Sequence, residues 1–152
     1  MPMLKKISWI FILLFTTACL TGCGDDNEHE DDTVDTDYIT GKWQAVSSRQ
    51  WEIENGKIIE TREYDEGYDF KTIEFKEDAT GECTDVELNL TLPITWQITN
   101  DKNLYVGVVF GGQTTTLTYK IKTLTNNKLA LRSEEGNQEH NWQIEQTFRR
   151  IN

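Results

Sequence analysis

The sequence predicts an all-β protein: a single antiparallel up-and-down β-barrel of about eight strands, carried behind a signal peptide and an acidic tether. Three observations predict it. Two lysines and an apolar run open the chain, and an acidic segment free of Lys and Arg follows. From Tyr38 onward apolar residues alternate with polar ones between closely spaced turn signals, and no stretch of a dozen residues keeps a helical period.

Residues 1–22, "MPMLKKISWIFILLFTTACLTG", place Lys5 and Lys6 ahead of an apolar run from Ile7 to about Leu20. That is the order of charge and apolar surface in a secretion signal. The run, about 14 residues long, falls short of the roughly 20 that a helix needs to cross a bilayer. Leu20, Thr21 and Gly22 then lead into Cys23. This order resembles the lipobox of bacterial lipoproteins, which implies cleavage before Cys23 and lipidation of its thiol. The competing cysteine, Cys19, has Thr16 where that motif takes a branched apolar residue. Each buried acyl methylene contributes about 0.8 kcal/mol, and two or more chains hold a protein durably on a membrane. The resemblance therefore implies that the membrane is a partner, through Cys23.

Residues 23–37 form the tether. Between Cys23 and Tyr38 stand eight acids and no Lys or Arg, so the segment repels itself and has almost nothing to bury. Its 14 residues reach about 46 to 50 Å when stretched and roughly 20 Å on average. An acidic stretch directly after the lipidated cysteine also resembles the surface-export signal of Bacteroidetes lipoproteins. The resemblance implies an outer-membrane anchor and exposure at the cell surface; a solvating spacer on the periplasmic face has the same composition and stays open.

Lys5 and Lys6 leave with the leader, which takes the formal charge of -11 to -13; eight of those charges are tether acids, leaving about -5 on the domain. Neither piece has the basic patch of a nucleic-acid binder. Cys83 is the one thiol beyond Cys23, so no internal disulfide is expected and the fold must rest on burial.

Residues 38–152 make one domain, long enough for a single core. "LPITWQIT" sets Ile94, Trp96 and Ile98 against Thr95, Gln97 and Thr99. "TTLTYKIK" and "NWQIEQTFR" alternate likewise, and "VELNLTL" does so through Val86, Leu88, Leu90 and Leu92. Asn55-Gly56 between "WEIE" and "KIIETR" is a two-residue hairpin signal. "EDATG" ends the strand "KTIEF", and further breaks fall at "NDKN", "GGQ", "TNNK" and "EEGN". Eight or nine strands in sequence order, with no long crossover, close most simply into a barrel because closure removes exposed edges.

"ITGKWQAVS" resembles the GxW opening strand of lipocalin-like domains, and "IEQTFRRIN" resembles their closing strand, which ends in Arg. The stretches between follow the order seen in small lipocalin-like lipoproteins of Bacteroidetes, over about residues 39 to 150. The resemblance implies that Gly41 lets the backbone turn closely at the barrel floor and that Trp43 plugs that end. Arg149 or Arg150 then lies across the indole as a cation-π contact.

An eight-stranded interior is either filled by side chains or holds one small ligand. The bulky inward candidates Trp43, Trp96, Trp142, Phe75, Tyr119 and Phe148 favour filling. If a cavity exists, Trp96, Val106, Val108, Leu117 and Leu131 are expected to line it. A second candidate surface is "WEIENGKIIETREYDEGYDF", where Trp51, Tyr64 and Tyr68 offer rings beside polar groups, suited to a protein or glycan. His29 lies among tether acids and His140 stands alone in the domain, so no metal site is expected. No G-x-S-x-G, H-E-x-x-H, P-loop or paired-Cys motif occurs. The expectation is a binding protein without enzyme activity or cofactor, taking a small apolar or amphipathic ligand. The alternative is an interaction module with a packed core.

Overall fold

The computed structural model describes residues 35–152. A short 3-10 turn, Thr36–Tyr38, leads into nine antiparallel strands. They are β1 (Gly41–Glu54), β2 (Lys57–Tyr64), β3 (Phe70–Phe75), β4 (Thr80–Asp85), β5 (Thr91–Ile98), β6 (Asn103–Phe110), β7 (Gln113–Leu124), β8 (Lys128–Gly136) and β9 (His140–Ile151). Strand β3 pairs with the start of β1, successive strands pair from β3 to β9, and β9 returns to β1. Eight strands thus close a barrel, the fold class expected from the alternation.

Strand β2 is the ninth and stands outside that ring. It pairs only with the far half of β1, Ser48 to Glu54, and every one of its residues is exposed. The hairpin turns at Asn55 and Gly56, with φ of 50° and 77°, as the Asn-Gly pair predicts for a primed turn. Between β2 and β3 the chain leaves the sheet at residues 65–69 and re-enters it at Phe70.

Strand β1 is one continuous element that runs from "GKWQAVS" through "WEIE". Its register against β9 slips between Ala45 and Ser47, so Val46 is an extra residue. A one-residue insertion reverses which side chains face inward. Trp43 and Ala45 face the core before the slip; Ser48 and Gln50, opposite Gln146 and Ile144, do so after it. Trp51 accordingly points outward.

Two local expectations need correction. "VELNLTL" is not a strand through Val86: residues 86–90 form a turn held by Asp85, whose carboxylate accepts the Leu88 N–H at 2.7 Å, and the strand starts at Thr91. Thr80 and Gly81, which close the break "EDATG", instead open β4, "TGECTD", with Gly81 and Cys83 buried on its inward face. A Cβ on Gly81 would collide with the Glu74 carbonyl across the β3–β4 pair, so this strand needs its glycine despite the weak propensity.

The core fills one half of the barrel. Ile73, Phe75, Ile94, Leu104, Val106, Ile121, Leu124, Leu129, Leu131 and Phe148 are buried there around Trp43. The other end carries the connections 65–69, 86–90, 111–112 and 137–139, and it is open.

Candidate functional site: a cavity at the barrel mouth

The two barrel ends differ because their residues do. At the closed end Trp43 is fully buried and its indole N–H donates to the Ile39 carbonyl at 2.8 Å. The Arg150 guanidinium lies over the ring at 4.3 Å. It also donates to the carbonyls of Thr40 at 2.7 Å, Tyr38 and Asn126, tying the entering chain and the β7–β8 turn to the floor. Arg149 points elsewhere, to Gln44. Gly41, at φ 126°, leaves the space this guanidinium occupies; a Cβ there would run into it.

At the mouth the inward rows of β5, β6 and β7 reach Leu92, Val108 and Leu117, and a cavity of about 470 Å³ remains, open to solvent. Phe70, Leu92, Val108 and Leu117 wall it, with Leu88 and Phe110 at the lip. Leu88 and Phe110 are 48% and 54% exposed, so apolar surface continues out of the cavity into solvent. The volume lies in the range of small-ligand sites, roughly 300 to 1,000 Å³.

One side of the cavity is built by residues 65–69, and a single side chain holds that segment in place. The Gln146 carbonyl oxygen accepts the backbone N–H groups of Tyr68, Asp69 and Phe70 at 3.1, 2.9 and 3.5 Å. Its amide donates to Asp69 Oδ2 at 2.8 Å, where the Tyr119 hydroxyl also donates at 2.6 Å. Gln146 is fully buried, so these bonds replace water for a segment that left the sheet. Burial raises the Asp69 carboxyl above its ordinary value against the lowering effect of the Tyr119 and Gln146 bonds, and the Glu135 and Asp85 carboxylates raise it further. Burial, with Asp69 beside it, holds the Tyr119 phenol well above its ordinary value.

Acids surround the apolar walls. Asp69, Asp85, Glu87 and Glu135 all line the cavity, and no Lys or Arg does. Lys71 on β3 donates to Asn89 Oδ1 and is not among the lining residues. Among the described residues no group of three or more His, Cys, Asp or Glu side chains is arranged to hold a metal ion.

The residues singled out from sequence are distributed unevenly over this geometry. Val108 and Leu117 line the cavity. Val106 and Leu131 are fully buried in the packed half. Trp96 faces inward toward the closed end, packed edge-on against Phe75 at 5.5 Å, with its N–H donating to the Thr80 carbonyl at 3.0 Å. Tyr68 lines the cavity and remains 37% exposed. Trp51 lies on the outer face between Arg132 and Arg49, at 5.1 and 5.8 Å, and Tyr64 ends β2 beside a separate, polar depression. Cys23 and His29 lie outside the described residues.

His140 is not isolated: its Nε2 meets Glu52 at 2.8 Å and its ring packs on Trp142. Cys83 is buried, and burial pushes its thiol up to about 11. Sequence reasoning passed over Asp69, Gln146 and the acids of the mouth. One signal was available for Gln146: it interrupts with a polar residue the inward row of Trp142, Ile144 and Phe148.

The family profile of the lipocalin-like domain matches residues 39–131, from the residue before Thr40 and Gly41 through the first half of β8. No curated protein matches the chain. The profile covers more than half of the sequence and every residue that lines the cavity except Glu135, and on that ground the chain belongs to the lipocalin-like domain family.

Proposed function

We propose that this protein binds one small apolar or amphipathic ligand in the mouth cavity while anchored to the cell envelope through a lipidated Cys23. The observation that carries the first half is the cavity itself: 470 Å³, apolar-walled, open on one side and backed by a packed floor. An apolar concavity with a few convergent polar groups is the usual form of a small-ligand site. The second half rests on the leader, the Leu-Thr-Gly-Cys sequence and the acidic tether, which support attachment to the outer membrane with the domain facing the cell surface.

A titration with the uncharged fluorophore N-phenyl-1-naphthylamine tests the binding. Saturable emission near one probe per chain is expected, and Leu117→Trp, which fills the cavity from β7, should abolish it without unfolding the barrel. A flat response from folded protein contradicts the reading. For the anchor, Cys23→Ser should move the protein out of the membrane fraction; a variant that stays there with its leader cleaved contradicts it.

A second reading, docking of a protein or glycan, draws on Trp51, whose ring lies in the outer face between two guanidinium groups. Trp51→Ala should then weaken capture by cell-surface material and leave probe binding intact.

A further inference from the structure

We propose that the cavity selects cationic amphiphiles: small organic molecules with an apolar body and an amine or quaternary ammonium head. This rests on the reading of the cavity as a ligand site and names the ligand's charge.

The cavity is lined by apolar side chains and by acids, with no base among them. Phe70, Leu92, Val108 and Leu117 form the walls, and the carboxylates of Asp69, Asp85, Glu87 and Glu135 also border the cavity. Their chemistry splits them further. Asp69 is held by Tyr119 and Gln146, and Asp85 accepts the Leu88 N–H, so both are committed to the protein's own structure. The side chains of Glu87 and Glu135 make no hydrogen bond or ion pair, and they border the opening from the 86–90 connection and from the end of β8.

These acids act on one another through the opening. Glu135 and Asp85 raise the Asp69 carboxyl, and Glu135 and Glu87 raise the Tyr68 phenol, whose upward shift comes first from burial. A cation placed there relieves that repulsion, whereas a fatty-acid carboxylate adds to it. The acids do not converge as a chelate: no group of three among the described residues is placed to hold a metal ion. An ammonium head needs no such convergence of ligands, and the apolar walls require a hydrocarbon body behind it.

The test displaces bound N-phenyl-1-naphthylamine from the purified protein with three ligands of one chain length: decyltrimethylammonium, decanol and decanoate. Decyltrimethylammonium is expected to displace the probe at about tenfold lower concentration than decanol, and decanoate at about tenfold higher. Raising the salt to about 0.5 M, where the Debye length is roughly 4 Å, should shrink both differences. The double variant Glu87→Gln, Glu135→Gln should lose most of the cation preference and keep the decanol affinity, since both side chains are at the surface and neither holds the fold.

Equal displacement by all three, or strongest displacement by decanoate, overturns the charge assignment and leaves the cavity a ligand site. A cation preference that survives in the double variant also overturns it. Failure of the probe and of all three ligands to bind folded protein overturns both proposals.

Discussion

The Arg150 guanidinium lies 4.3 Å from the centre of the Trp43 ring and at the same time donates to the Thr40 carbonyl, so one side chain closes the barrel floor and fastens the chain that enters it. Arg150→Ala should destabilise the protein by about 2 to 4 kcal/mol, combining a cation-π contact with charge-assisted bonds to carbonyls. Arg149→Ala removes only exposed bonds to Gln44 and should cost less than about 0.5 kcal/mol. Urea unfolding of the two variants checks the contrast; equal losses would contradict the assignment to Arg150.

Gln146 is the residue on which the cavity wall depends. Gln146→Leu leaves the backbone N–H groups of Tyr68 and Asp69 without their buried acceptor and should cost about 2 to 4 kcal/mol. It should also release residues 65–69, seen as faster amide exchange at Tyr68, Asp69 and Phe70 than in the rest of the barrel. Unchanged exchange there would contradict the role.

Asp69 should shape the acid side of the stability curve. Its folded carboxyl is raised, first by burial, so the native state holds the proton more readily than the unfolded chain. Stability then falls as pH rises from the unfolded carboxyl value, about 3.9, through the raised folded value, and not beyond. Asp69→Asn keeps an oxygen for Tyr119 and Gln146 but removes the titration. The variant should show a shallower decline over that window and be at least as stable as the parent at neutral pH. A steeper decline in the variant would contradict the sign.

Cys83 should be chemically silent. Its thiol is buried and raised to about 11, so the thiolate is scarce at neutral pH and the sulfur is out of reach. A soluble disulfide reagent should label it only at the rate of unfolding, with urea accelerating the reaction. Rapid labelling of folded protein would show that β4 opens locally.

Fold and site were legible to different degrees, for a physical reason. Alternation reports which face of a strand is buried, so "TTLTYKIK" and "LPITWQIT" read directly as half-buried strands, and Asn55-Gly56 read as a hairpin. β4 was hidden because "TGECTD" carries little β propensity and owes its place to Gly81 and Cys83 meeting β3 and β5. "VELNLTL" misled because its apolar residues line or surround an opening rather than a core: Leu88 and Leu90 are each 48% exposed. The cavity was half legible. Val108 and Leu117 continue the inward rows of β6 and β7, but depth along the barrel separates them from Val106 and Leu131, and alternation carries no information on depth. Of the acids, Asp69 and Glu87 come from two connections and Asp85 and Glu135 from the ends of β4 and β8, and barrel closure brings these places together.

The most direct measurement follows methyl resonances of the protein as N-phenyl-1-naphthylamine is added. Saturable shifts are expected at Leu92, Val108 and Leu117, with Leu104, Val106 and Leu131 unmoved. Shifts confined to the outer face around Trp51, or no shifts from a folded sample, would contradict a ligand site at the barrel mouth.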